Sequence, residues 1–190
     1  MSNSSPPSRR GLNARQVETV EKLLAAGQEV LEEVGTEDLT VRLVAARAGV
    51  SPATAYTYVA SKNHLFAELY LRHITANPAP GVEGSAVERL QQVTRHFVST
   101  LLSHPHLAAA ANIALLSSDP EVERLRIRIG AEFVGRFSAA YGTDLTPDLR
   151  DALLFAFSGA LLQAGMGLMD AEELSERFDA VIALMVRGAR

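Results

Sequence analysis

The 190-residue chain has no cysteine, which excludes both disulfides and thiolate metal sites. It also lacks a glycine-rich phosphate loop, a nucleophile elbow and a pair of histidines on one helical face. Without these catalytic signatures, neither an enzyme nor a cofactor is expected. Residues 1–11 are polar, carry Pro6-Pro7 and Arg9-Arg10 and contain no apolar run. No secretory segment is read there, and a cytoplasmic protein is expected. Strand-like alternation is missing throughout, as is any internal repeat. The five histidines, at 64, 73, 96, 104 and 106, offer little to a metal. His104 and His106 flank Pro105 at a spacing poor for one helical face, with no carboxylate close in sequence, so this is read as a solvated loop and no metal site is expected.

What the chain does have is apolar content, 47% of residues, ample for a packed core in one or two domains. The net charge of −4 is unevenly spread: residues 1–76 hold eight Lys/Arg and eight Asp/Glu, while residues 77–190 hold ten and fourteen. All the excess acid is C-terminal. A near-neutral N-terminal part still offers a basic face to a polyanion if Glu32, Glu33, Glu37 and Asp38 lie away from it.

Apolar positions recur at helical spacing almost everywhere. From Asn13 they are Val17, Val20, Leu23, Leu24, Val30, Leu31 and Val34, with Gly35 as the stop. Leu65, Phe66, Leu69, Tyr70 and Ile74 predict a helix from Lys62 to about Ala76, after which Asn77-Pro-Ala-Pro-Gly breaks the chain and marks a domain boundary. Ser85 caps a helix striped by Val87, Leu90, Val93, Phe97, Val98 and Leu101; a short alanine-rich helix follows from about His106 to Leu116. Asp119-Pro120 opens a helix that runs to Gly142, Thr146-Pro147 opens another, and Asp170 with Glu173 caps the last. Ala152–Met169 contains no charge, which invites a membrane reading, but Ser158, Gln163 and three glycines fall within it and no second apolar span exists. A helix buried on every side is the simpler reading, and no membrane is expected. The predicted fold is all-α, with about nine helices: an arm at 1–12, a domain at 13–76 and a second at 77–190.

Only Thr40–Leu65 has a spacing that dictates a partner. Thr40 is an N-cap candidate, and Val41, Val44, Ala45 and Ala48 share one face of a two-turn helix. Gly49 supplies the left-handed backbone for a sharp turn, Val50 plugs the corner, and Ser51-Pro52 restarts the chain as a helix. Ala45 is small where two helix axes must approach closely, so the unit is a helix-turn-helix. Its second helix offers Ser51, Ala53, Thr54 and Thr57, with Tyr56 and Tyr58 alongside, and such a face of short hydroxyls and phenols fits a major groove. Lys62, first residue of a helix capped by Ser61, combines a cation with the positive end of a helix dipole.

Read from Ala48 to Leu65, Ala-Gly-Val-Ser-x-x-Thr-x-Tyr-x-Tyr-x-x-Ser-Lys-x-x-Leu resembles the DNA-binding signature of the TetR family of transcriptional repressors. Val59 stands where phenylalanine is usual and Ala55 where leucine is usual. The resemblance implies an N-terminal three-helix DNA-binding domain, a helical ligand-binding and dimerisation domain, and a homodimer through the last two helices on a palindromic double-stranded DNA operator. By the same resemblance Thr40 and Arg42 contact phosphate, Arg42 or else a base; Ser51, Ala53, Thr54 and Thr57 face the groove; and Tyr56, Tyr58 and Lys62 anchor to phosphates. Arg9-Arg10 serves solubility or touches the minor groove.

For the second domain the resemblance implies a small apolar ligand. The candidate lining is Phe97, Leu101, Leu116, Phe133, Phe137 and Phe155, oriented by Asn112, Ser158 or Gln163; an ordinary filled core is the alternative. An activator with the same reading head, or a helical protein-interaction module, also stays open.

Overall fold

In the computed structural model, which describes residues 13–189, the described residues form nine helices and no strands. They are α1 (Ala14–Asp38), α2 (Val41–Arg47), α3 (Pro52–Tyr58), α4 (Lys62–Ala76), α5 (Ala86–Leu102), α6 (Pro105–Leu116), α7 (Pro120–Tyr141), α8 (Pro147–Gly165) and α9 (Ala171–Gly188). The arm at 1–12, with Arg9-Arg10, lies outside the described residues.

The starts follow from side-chain oxygens that meet free helix amides. Asn13 accepts from Gln16 N at 3.0 Å and Ser85 from Glu88 N at 3.3 Å, and in both the third residue's side chain reaches back to the cap's own N–H. Thr146 accepts from Leu149 N and Asp170 from Glu173 N. In α1, Gly35 leaves helical geometry at φ 71°, ψ −173°, as its expected role as a stop requires.

The helices group into two compact units that are not the two halves of the sequence. One comprises the described residues up to Arg72 together with Ala109–Arg126; the other comprises His73–Ala108 and residues from Ile127 on. A break at residue 77 does end α4, but residues 109–126 pack with the N-terminal helices.

The first unit closes around Leu23, Leu24, Val30, Leu31, Val44, Leu65, Phe66 and Leu69, all at most 2% exposed. At Gly27 the backbone of α1 lies so close to α4 that a methyl group there would sit 3.1 Å from Leu65 Cδ1. The second unit packs α5 and α8 against α9, around five phenylalanine rings at positions 97, 133, 137, 157 and 178, none more than 4% exposed. Phe157 is their centre: its ring lies 5.6 Å from Phe97, 5.4 Å from Phe133, 5.6 Å from Phe137 and 5.3 Å from Phe178. Three of these four contacts are edge-on, the arrangement that ring quadrupoles favour.

The uncharged helix corrects one expectation. α8 is not buried on every side: it buries Leu149, Leu153 and Phe157, whereas Phe155 is 72% and Met166 57% exposed. Its buried side faces α5, α9 and, at Phe157, the Phe133 and Phe137 rings of α7. Among the described residues no helix is long and apolar enough to cross a membrane.

Candidate nucleic-acid interface

The turn between α2 and α3 is built by backbone bonds that its sequence selects. Val50 N donates to Ala45 O at 3.0 Å and Gly49 N to Ala46 O at 3.2 Å, the paired closure that ends a helix on a left-handed residue. That residue is Gly49, at φ 68°. Ala45, in contact range of the corner, is fully buried. Ser51 then caps α3, accepting from Thr54 N at 3.1 Å, and Pro52 takes the first helical position. Ala55 and Val59, the two departures from the usual pattern, are 0% and 4% exposed and carry the inner face of α3.

The outer faces hold most of the residues expected to meet DNA. Arg42, Ser51, Ala53, Tyr56 and Thr57 are exposed, while Thr54 and Tyr58 are half-buried. Thr40, also exposed, accepts from Leu43 N at 3.1 Å and so fixes the start of α2. The small hydroxyls, however, are engaged within α3. Ser51 Oγ and Thr54 Oγ1 are 2.9 Å apart, and Thr57 Oγ1 donates to Ala53 O at 3.1 Å.

Two cations of this unit set positions. Arg47, near the end of α2, grips both Glu33 oxygens of α1 at 2.8 and 2.6 Å and reaches Glu29 at 3.3 Å. These carboxylates raise the Arg47 pKa further, and Arg47 in turn lowers that of Glu33. Lys62 donates to Glu37 O at 2.9 Å and lies 5.8 Å from the Phe66 ring centre, which ties the first residue of α4 to the end of α1.

Behind Lys62 lies a polar cluster that sequence reasoning missed. Ser61 caps α4 by accepting from His64 N at 2.9 Å, and its hydroxyl donates to Asp119 Oδ2. The other Asp119 oxygen accepts from Glu121 N at 2.9 Å and so caps α7. His64 is only 7% exposed; its Nδ1 accepts from Ala60 N at 3.2 Å, and its Nε2 lies 4.0 Å from Glu68. Burial pushes the His64 pKa down, against the opposing pull of Glu68, Glu121 and Asp119.

The residues proposed to line a ligand site divide. Phe97, Leu101, Phe133 and Phe137 are all buried, and the three rings converge: Phe97 lies 4.9 Å from Phe133 and 6.2 Å from Phe137. Phe155 and Ser158 lie on the exposed side of α8, and it is Phe157 that joins the cluster. The four-residue spacing Leu149, Leu153, Phe157, counted from the Thr146 cap, is the signal that picks it out. Asn112 and Leu116 belong to the other unit, with Leu116 69% exposed.

Arg136 lies over Phe97, its guanidinium carbon 4.7 Å from the ring centre. It donates to Asn77 O at 2.8 Å and Ile74 O at 2.5 Å, at the end of α4, and its pKa is lowered by burial. Elsewhere in this unit an open groove of about 570 Å³ is lined by Glu83, Gly84, Glu88, Gln91, Gln92 and Arg95. It is polar rather than apolar, and its side chains bond to one another or to Ser85 and Asp179. His104 packs edge-on against His73 at 4.9 Å, and no metal-binding group of three or more acidic or histidine residues occurs among the described residues.

Comparison with known proteins places this geometry. The profile of bacterial regulatory proteins, tetR family, matches residues 23–69, the stretch from the middle of α1 into α4. Uncharacterised HTH-type transcriptional regulators of Mycobacterium bovis and Mycobacterium tuberculosis are 44% identical over 180 residues, which is 93% of this chain and 84% of theirs. Among solved structures, a TetR transcriptional regulator from Rhodococcus sp. RHA1 superposes with a TM-score of 0.79 at 20% identity, covering 90% of this chain and 97% of its own. BioQ, solved with its natural double-stranded DNA operator, superposes at 0.64 with 21% identity over 89% and 96%. With the turn chemistry, the helix order and the mycobacterial relatives in agreement, the chain belongs to the tetR family of bacterial regulatory proteins and is a helix-turn-helix transcriptional regulator.

Proposed function

We propose that this regulator is a repressor that binds a palindromic operator as a homodimer and is released by a small apolar ligand. The observation that carries the reading is the α2–α3 turn, whose paired backbone bonds at Gly49 and Val50 hold α3 with Ala53, Tyr56 and Thr57 outward. One seven-residue helix contacts few bases, so specificity requires a second copy. The exposed apolar residues of α8, α9 and the turn joining them, Phe155, Met166, Leu168 and Leu184, suit that pairing. DNA binding by the similarly folded BioQ supports the same use of α3.

A ligand would enter at the aromatic cluster. Displacing Phe97 would move Arg136, which lies on its face and holds the carbonyls at the end of α4. Since α4 begins at Lys62 beside α3, its displacement favours a state that misfits the operator. The full chain should shift its own upstream DNA in the presence of unrelated competitor, and compounds that raise its melting temperature should weaken that shift. A stabilising compound that leaves the shift intact would sink the coupling. Lys62→Ala should weaken binding to all sequences alike and lower the salt slope by about one. An unchanged slope would remove Lys62 from the phosphate contacts.

A further inference from the structure

Side chains that read bases by strong hydrogen bonds are Arg or Lys paired on guanine, Asn or Gln paired on adenine, and Asp or Glu accepting from the cytosine amino group. The reading helix α3, Pro-Ala-Thr-Ala-Tyr-Thr-Tyr, has none of them. Its aliphatic hydroxyls and that of its cap are engaged by the bonds described above: Ser51 and Thr54 bond to each other, and Thr57 gives its proton to Ala53 O at 3.1 Å, which leaves the phenols of Tyr56 and Tyr58, expected at phosphates, as the other hydroxyls. With Thr57 Oγ1 turned back toward the helix, the Thr57 methyl group is left for the groove. Between the phenol tips, the exposed surface of α3 is therefore mainly apolar: the Ala53 methyl, the Thr57 methyl and the ring of Tyr56, a residue 48% exposed. Beside it on α2 stands Arg42, exposed and, among the described residues, held by no carboxylate, unlike Arg47 with its grip on Glu33.

We infer that α3 reads thymine methyl groups, through Ala53 and Thr57, and that the one bidentate base contact of each half-site is Arg42 on a guanine. The inference rests on the DNA-binding reading above and names the base chemistry that reading requires. In the major groove only thymine presents a methyl group, and only guanine offers the two acceptors that fit a guanidinium fork. Each half-site should thus carry thymines where α3 lies and a guanine toward α2.

The test uses the full-length chain and a duplex selected by it from a random pool. Replacing single thymines of the half-site by deoxyuridine removes one methyl and nothing else, and should weaken binding about fourfold at one or two positions. Thr57→Val, which keeps a methyl in place and loses the hydroxyl, should bind like the parent. Thr57→Ser, which keeps the hydroxyl and loses the methyl, should bind about fourfold more weakly and become indifferent to deoxyuridine at one position. Replacing the guanine by 7-deazaguanine should cost the parent roughly tenfold and Arg42→Ala nothing further. Deoxyuridine without effect, or the opposite order of the two Thr57 variants, would overturn the inference while leaving sequence-specific binding in place. Failure to enrich any sequence would overturn the DNA-binding reading and this one with it.

Discussion

His64 shows how a single buried imidazole couples pH to the reading head. Its Nδ1 is the acceptor for Ala60 N, so the neutral ring carries its proton on Nε2, toward Glu68. A second proton would have to take the Nδ1 position and break the Ala60 bond. Burial holds the pKa of the folded state below the ordinary imidazole value of 6.5. Above that value both folded and unfolded rings are neutral and His64 adds no pH dependence. As pH falls below it, the unfolded chain takes up the proton first and stability declines. The melting temperature should therefore drop between pH 7.5 and 5.5, and His64→Gln should flatten the drop; an identical drop in the variant would assign it to other groups. Nothing in the sequence announced this residue, because two of the acids that act on it, Asp119 and Glu121 at the start of α7, are distant along the chain.

At the scale of elements, the α2–α3 turn was readable because each of its demands falls on one residue type. Gly49 is the clearest case: a Cβ added there would meet nothing within 4 Å, yet φ is 68°. Gly49→Ala should therefore cost about 1–2 kcal/mol through backbone strain alone. Chemical denaturation measures this directly, and a cost near zero would mean that the turn relaxes to another geometry. The uncharged helix was harder to read for the opposite reason. In a run with apolar residues on all sides the 3.6-residue repeat alone selects no face, so Phe155 was expected in the lining rather than Phe157, about 200° away around the axis; only counting from the Thr146 cap separates them. The choice is made by α5, α7 and α9, which cover the Leu149–Leu153–Phe157 side.

For the whole molecule, helix order and number were legible from caps and stripes, but the grouping of helices was not. Residues 109–126 pack with the N-terminal helices; that is a matter of spatial neighbours, which local periodicity does not encode. The surface left by this grouping makes its own demand. Leu184 is 67% exposed on α9 and Phe155 72% on α8, a pair of exposed apolar residues that suits the homodimer proposed above. Phe155→Glu combined with Leu184→Glu should leave the fold intact and give a monomer on size-exclusion chromatography. Because two linked reading heads gain affinity from each other, operator binding should fall by roughly a hundredfold or more. A double variant that remains dimeric would move the interface elsewhere.

The Asp119 carboxylate fastens two helix starts at once: one oxygen takes the Ser61 hydroxyl that caps α4, the other the Glu121 amide at the head of α7. Neither cap is independent of the other. In hydrogen exchange the His64 and Glu121 amides, far apart in sequence, would then open as one event. Asp119→Ala would release both together, so that a lesion well outside the helix-turn-helix speeds exchange at the base of the reading head.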